Sequence, residues 1–216
     1  MTRLRCNLAI SLDGFVAGPD QSVDNPLGIG GAQLHEWAFP LAAFRKMHGQ
    51  DGGEVNASTQ IIEEAVANVG AVIMGRNMFG GGPGPWRDDP PWTGWWGEDP
   101  PYHVPVFVIT HHPRQPLVMQ GGTTFHFVTG GVAPALAAAR AAAGGKDIVV
   151  GGGASVARQY LAAGSFDEVN LSVVPVLLKA GERLFDRLGD ADVRLEQLRA
   201  IAAPGVTHLR YRVIKA

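Results

Sequence analysis

Four short apolar runs in this chain each end on a small residue, and that recurrence restricts the possible folds more than any other feature. Ala71 to Met74 ends at Gly75, Val106 to Ile109 at Thr110, Phe125 to Val128 at Thr129, and Asp147 to Val150 at Gly151-Gly152-Gly153. Short continuous runs of this kind read as strands buried on both faces, as in a parallel sheet covered by helices. Helical patterns lie between them. One runs from Ser58, read as its N-cap, through Ile61, Ile62, Ala65, Val66 and Val69 to Gly70 as its stop. An alanine-rich helix spans 133–143, and a shorter one spans 155–163. Leu34, Trp37, Leu41 and Phe44 also recur at helical spacing, with Pro40 kinking that helix or starting a second one.

The alternation predicts βαβ units and a mainly parallel sheet. The first strand differs in pattern: Leu4, Cys6, Leu8, Ile10 and Leu12 fall on every second position, which gives one strongly buried face, and Asp13-Gly14 turns the chain. In the tail, 168–175, 193–200 and 207–215 read as strands with no helix between them, so an antiparallel edge is expected. The expected class is therefore α/β, with a central, mostly parallel sheet, flanking helices and an antiparallel C-terminal edge.

Composition narrows the function. A chain of 216 residues with 46% apolar content suits a single domain over 1–216. Lys+Arg 18 against Asp+Glu 20 gives no basic footprint, so no nucleic-acid partner is expected. The N-terminal residues lack a signal-type apolar core, and no apolar stretch approaches bilayer length, so the expected setting is cytoplasmic, with no membrane partner. Cys6 is the only cysteine and alternates with buried positions, which suits an inert core thiol. His103, His111 and His112 have no carboxylate or thiolate at ligand spacing, and no metal is expected.

Two strand ends carry the chemistry. Gly151 to Ser155 is a glycine run opening a helix, a junction that aims backbone N–H groups and the helix dipole at one spot. It is either a phosphate site or a tight turn with no ligand; the spacing is neither GxGxxG nor a P-loop. Gly75-Arg76-Asn77 sets backbone amides and a guanidinium at a second strand end, with Arg76 readable also as a plain surface charge. Between 80 and 105 lie Trp86, Trp92, Trp95 and Trp96 among prolines and glycines, an insertion read as an ordered loop lying over something else. These rings either stack a ligand or pack the loop down.

Ala9 to Gly18, Val72 to Arg76, Val108 to Thr110, Val149 to Gly153 and the stretch Asp167 to Phe185 together resemble the dihydrofolate reductase-like superfamily. Within it, they are most similar to the branch containing the reductase domain of bacterial riboflavin biosynthesis. The resemblance spans nearly the whole chain and implies a three-layer fold, NADPH as cofactor, and hydride transfer to a small pterin- or pyrimidine-like heterocycle or a related substrate. It sets Ala9 and Val16 by the nicotinamide, and Gly75, Arg76 and Asn77 at the phosphates, with Arg76 on the 2′-phosphate. Thr110 and His111 would border the ribose, and Gly151, Gly152, Gly153, Ala154, Ser155 and Val156 would hold the pyrophosphate. Asp13, Trp37 and Trp86 are the candidate substrate contacts, Asp13 being readable equally as a turn residue bonding its own backbone.

The pterin-binding carboxylate of dihydrofolate reductases has no counterpart on the segment around Phe44, where Pro40 stands, and Glu36 is an imperfect substitute. Dihydrofolate is thus not the expected substrate. The alternative function is a non-catalytic NADPH- or nucleotide-binding regulatory protein on the same fold, and a weaker third is a docking protein that uses the Trp-rich loop. A homodimer covering the tail's sheet edge is also expected.

Overall fold

The computed structural model describes residues 2–87 and 89–215. Its centre is a nine-stranded sheet in the order β10-β11-β8-β1-β7-β3-β4-β6-β5. The strands are β1 (Leu4–Ser11), β3 (Val69–Gly75), β4 (Pro105–Ile109), β5 (Leu117–Val118), β6 (Thr124–Val128), β7 (Asp147–Gly152), β8 (Glu168–Val174), β10 (Arg194–Ala203) and β11 (Val206–Ile214). A small separate pair joins β2 (Phe15–Ala17) to β9 (Glu182–Arg183). Strands β8, β1, β7, β3, β4 and β6 run parallel, and β11, β10 and β5 are antiparallel additions. The α/β class with an antiparallel C-terminal edge is therefore present, and β2, β5 and β9 are additions too short to leave a sequence pattern.

One face of the sheet is apolar over its central strands. Leu4, Cys6, Ile10, Ala71, Ile73, Ile148 and Val150 pack there against α4 (Val132–Ala142) and α5 (Ala154–Ala162). Burial in this core pushes the Cys6 thiol up to about 12. The two helices are tied by Tyr160, which is buried and donates its hydroxyl to the Val132 carbonyl at 2.6 Å.

The opposite face is divided. Over β3, β4 and β6 it is apolar, with Val72, Met74, Val106, Val108 and Phe125 covered by Trp86, Trp92, Trp96 and Tyr102 of the Trp-rich segment. That segment is fastened by its indoles: Trp92 and Trp95 donate to the Phe79 and Met78 carbonyls, and Trp86 to His112, each at 2.9 Å. Gly80 and Gly81 have φ of 85° and 86°, and a Cβ there would stand 2.5 Å from Trp95 and 2.8 Å from Trp92. Only glycine suits either position. Over β1, β8 and β11 the same face is polar, and α2 (Ala57–Val66) lies across it.

Several sequence expectations are corrected. The N-cap of α2 is Asn56, whose side chain accepts from Ser58 N, and Ser58 is instead a buried first-turn residue. The helix stops at Val66 because its final carbonyls are taken from below: Arg5 donates to Glu64 O and Ala67 O at 3.1 and 2.9 Å. Gly70 is not a helix stop but a strand residue, where a Cβ would lie 2.1 Å from the Ala143 carbonyl oxygen. The spacing of Leu34, Trp37, Leu41 and Phe44 does not make one helix. A 3-10 turn (Gly31–Leu34) and α1 (Ala42–Met47) share it, and Pro40 stands just before the α1 N-cap, Leu41.

Candidate functional site

The parallel strands all point their carboxyl ends to one edge, where α3 (Arg76–Phe79) and α5 begin. After β6 the chain returns through α4 to place β7 between β1 and β3, and ligands of open α/β sheets bind at such reversals of order. The two glycine junctions meet there. A Cβ on Gly75 would lie 3.0 Å from Val156 and 3.5 Å from Gly153 N. Gly153 N-caps α5 without a side-chain cap, and a Cβ on it would meet nothing within 4 Å. Its carbonyl accepts from Val156 and Ala157, while the N–H groups of Ala154 and Ser155 have no acceptor among the described residues. Met78 closes the floor, its methyl group 3.1 Å from where a Gly151 Cβ would stand. Open space, two free amides and a helix N-terminus form a cradle that a phosphate fits.

Arg76 is the first residue of α3, beside that cradle. Its guanidinium stacks on Trp86, 3.1 Å from the ring centroid, and donates to Gly80 O, Gly81 O and Gly82 O at 3.0, 3.3 and 3.0 Å. Nη1 is buried with no hydrogen-bond partner, and among the described residues no carboxylate forms an ion pair with Arg76. Burial, aided by Arg114, lowers its pKa to about 10. Asn77 follows in α3; Thr110 comes directly after β4, whose last residue, Ile109, pairs with Gly75, and His111 beyond it is exposed.

The second feature is a cleft of about 310 Å³ between α2 and the polar half of the sheet. Two rows of side chains cross its floor. In one, Asn170 donates to Asn7 at 2.9 Å and Arg210 to Asn170 at 3.0 Å, and Glu64 of α2 accepts from both Arg210 and Arg199. In the other, aligned with Ala9, Ser172 and Ser58 flank His208 at 2.9 and 2.8 Å. Trp37 stands edge-on to His208 at 4.8 Å and lines the cleft with Phe44 and Met47.

The sequence-derived contacts separate accordingly. Ala9 and Trp37 meet at the cleft, whereas Trp86 belongs to the apolar half of that face, beneath Arg76. Asp13 lies in the turn after β1 and accepts from Ser11 Oγ, Leu178 N and Lys179 N at 2.6, 3.1 and 2.7 Å. Desolvation of Asp13 acts upward, but these donors outweigh it and hold the carboxyl below its usual range. Val16 is partly buried against the core, and Glu36 is exposed, outside the cleft. Sequence reasoning missed Ser58, Glu64, Ser172, Arg199, His208 and Arg210. The visible signal was polar residues at alternate positions of Asn170–Ser172 and His208–Arg210, on the face that should be buried. Among the described residues no group of three His, Cys, Asp or Glu is placed to hold a metal, and no helix is long and apolar enough to cross a membrane.

The cleft sets an acid limit on stability. Burial, then Arg199, lowers His208 to about 4, and the two arginines lower Glu64 to about 2. A depressed histidine contributes stability that is whole above its unfolded value near 6.5 and is lost as pH falls toward 4. Glu64 adds a loss below its unfolded value near 4.5. Urea unfolding at pH 5 should therefore give a stability about 2 kcal/mol lower than at pH 7 from His208 alone. His208→Asn should flatten that slope, leaving the smaller same-sign share of His35, also lowered by burial. Equal slopes in the two proteins would count against a neutral buried His208.

A mostly parallel sheet, a glycine cradle at its carboxyl edge and an antiparallel tail define a dihydrofolate reductase-like domain. Comparison with known proteins makes this specific: the chain belongs to the RibD C-terminal domain family, whose model matches residues 2–208. Among solved structures it is similar to a candidate riboflavin biosynthesis protein from Shewanella sp. PV-4, with 20% identity, 99% of this chain and 100% of that chain covered, and TM-score 0.65. It is also similar to RibD of Acinetobacter baumannii, with 18% identity, 99% of this chain covered and TM-score 0.58, and it spans 58% of that longer chain. Dihydrofolate reductase from Enterococcus faecalis, in a complex with NADP(H), matches at 13% identity, 99% and 97% coverage and TM-score 0.53. At such identities these likenesses show the fold. No curated protein matches the chain.

Proposed function

We propose that the protein is an NADPH-dependent reductase whose cofactor lies along the carboxyl edge of the sheet and whose substrate is a pyrimidine-like heterocycle bound under α2. The observation that carries this reading is the paired glycine junction, where Gly75 abuts Gly153 and the Ala154 and Ser155 amides have no acceptor among the described residues. When bound, the cofactor supplies the hydride. The protein's own groups do the rest: Gly151 to Val156 receive the pyrophosphate, Arg76 with Asn77 the remaining phosphate, Thr110 and His111 the ribose, and Ala9 with Val16 the nicotinamide side. Trp37 walls the substrate cleft and keeps water from it. Trp86 acts through Arg76, and Asp13 holds the turn after β1 against the loop beyond β8.

The substrate class is supported by a relative. A protein from Thermotoga maritima named as a diaminohydroxyphosphoribosylaminopyrimidine deaminase and 5-amino-6-(5-phosphoribosylamino)uracil reductase shares the fold at 12% identity and TM-score 0.58, this chain spanning 57% of its length. A pyrimidine is smaller and more polar than a pterin, and the floor under α2 offers amide, hydroxyl and imidazole groups. Two copies pairing along β10, the mostly exposed edge strand, would complete the sheet as a dimer.

One observation favours a second reading, non-catalytic cofactor binding: among the described residues the only carboxylate lining the cleft is Glu64, and both its oxygens are held by arginines. NADPH oxidation in the presence of 5-amino-6-(5-phosphoribosylamino)uracil separates the two; binding without turnover selects the second.

The cradle is tested by Ser155→Asp. Ser155 is exposed in the first turn of α5, where an aspartate suits the helix dipole but repels a phosphate. The variant should melt no lower than wild type yet lose most of the stabilisation that saturating NADPH gives, about 3 kcal/mol at a hundredfold excess over Kd. An unchanged NADPH shift would sink the assignment.

A further inference from the structure

Ser58 is 1% exposed, and His208 Nε2 at 2.8 Å is the one hydrogen-bond partner of its hydroxyl among the described residues. A buried hydroxyl proton without an acceptor is costly, so Ser58 donates to Nε2. A neutral imidazole has one bare nitrogen and one N–H. With Nε2 bare, the proton sits on Nδ1 and is donated to Ser172 Oγ, 2.9 Å away. Ser172 Oγ is then an acceptor within the protein, and its own hydrogen has no partner among the described residues. Ser172 lines the cleft, next to Trp37 and across from Ala9 in the strand register. The neighbouring row is bound up internally, from Asn7 through Asn170 and Arg210 to Glu64.

We propose that Ser172 donates its hydroxyl hydrogen to a carbonyl oxygen of a bound pyrimidine, and that His208, held by Ser58, is the positioning residue that fixes this direction. The inference rests on the reading of the cleft as the substrate site. Its chemistry is selective: a uracil-type edge offers a carbonyl acceptor for the Ser172 hydrogen, whereas a ring that presents only N–H there would use the remaining Oγ lone pair and leave that hydrogen without a ligand partner. Hydrogen exchange is not required of His208, which stays neutral and acts only through Ser172.

The experiment has two arms on the full chain saturated with NADP+. Nitrogen-15 chemical shifts of the His208 ring should show hydrogen on Nδ1 and a bare Nε2. Calorimetric titration with 5,6-diaminouracil should show Ser172→Ala binding about tenfold more weakly, the loss of one hydrogen bond near 1.4 kcal/mol. Ser172→Thr, which keeps the hydroxyl, should bind as wild type does, and NADP+ affinity should be equal in all three. Hydrogen on Nε2 would overturn the inference, as would equal diaminouracil affinity in wild type and Ser172→Ala, or none in either. If diaminouracil still binds in those cases, the cleft keeps its reading as the substrate site and only the role of Ser172 falls; if diaminouracil binds neither protein while NADP+ does, the cofactor reading stands alone; if NADP+ does not bind either, both readings fall.

Discussion

Glu64→Ala is expected to destabilise the protein by about 1 to 3 kcal/mol, between the cost of breaking an exposed ion pair and that of breaking a buried one. Glu64 is 28% exposed and lies between Arg199 and Arg210, which are 29% and 28% exposed. Its loss leaves two guanidinium groups facing each other, frees Arg210 from α2, and removes the ionic link between the helix and the last hairpin, leaving the Ser58–His208 hydrogen bond. The melting temperature should fall by several degrees. Glu64→Gln, which keeps the shape and one acceptor but not the charge, should cost less. Thermal and urea unfolding of the two variants give the answer, and a loss under 1 kcal/mol for Glu64→Ala would mean that α2 is held by its apolar contacts alone.

Arg76→Ala should weaken NADPH tenfold to a hundredfold and leave NADH nearly unchanged. The argument is electrostatic and steric together. The guanidinium has a buried Nη1 without a partner, lacks a pairing carboxylate among the described residues, and carries a pKa lowered to about 10 by burial. A doubly charged phosphate ester would relieve all three, through charge-assisted bonds of roughly 1.5 to 3 kcal/mol each. The same side chain clamps Gly80, Gly81 and Gly82 and stacks on Trp86, so the substitution should also lower stability, by about 2 to 3 kcal/mol. Arg76→Lys keeps the charge but can neither stack flat nor span three carbonyls, and should lose most of that stability while retaining part of the NADPH preference. Titrations of both cofactors at fixed salt decide the matter. Equal weakening of NADPH and NADH would confine Arg76 to the loop clamp.

The sequence made the apolar half of the molecule legible. Continuous runs such as Val106 to Ile109 and Ile148 to Val150 have one interpretation when each ends at a glycine or threonine, and the strands are there. Gly75 and Gly151 to Gly153 were visible as candidates for the same reason. What sequence could not show was pairing at a distance. Ser58 read as a helix cap because serine before an apolar stripe usually is one; its partner, His208, is 150 positions away. Arg76 read from its residues as a strand-end guanidinium or a plain surface charge, and as a phosphate ligand only through the family resemblance; the three carbonyls it holds come from a turn in which Gly80, Gly81 and Gly82 adopt positive φ, which no local pattern announces. Trp86 and Trp37 were grouped as substrate contacts by residue type, and the structure assigns them to different halves of one sheet face.

The divided sheet face has a consequence for how the molecule is made. The apolar half under the tryptophans is assembled from residues 69 to 128, a stretch that can pack on itself as it emerges from the ribosome. The polar half is different: Asn7, Ser58 and Glu64 wait for Asn170, Ser172, Arg199, His208 and Arg210, and until the β10–β11 hairpin docks they can satisfy one another only through water. Contacts of such long sequence separation form late and slowly. During synthesis and refolding the chain should thus pass through a state with α4 and α5 docked and α2 loose, in which the tryptophans are already quenched but hydrogen exchange along α2 is unprotected. If this cleft closes last, variants that weaken the hairpin should be cut by proteases at α2 before any other helix.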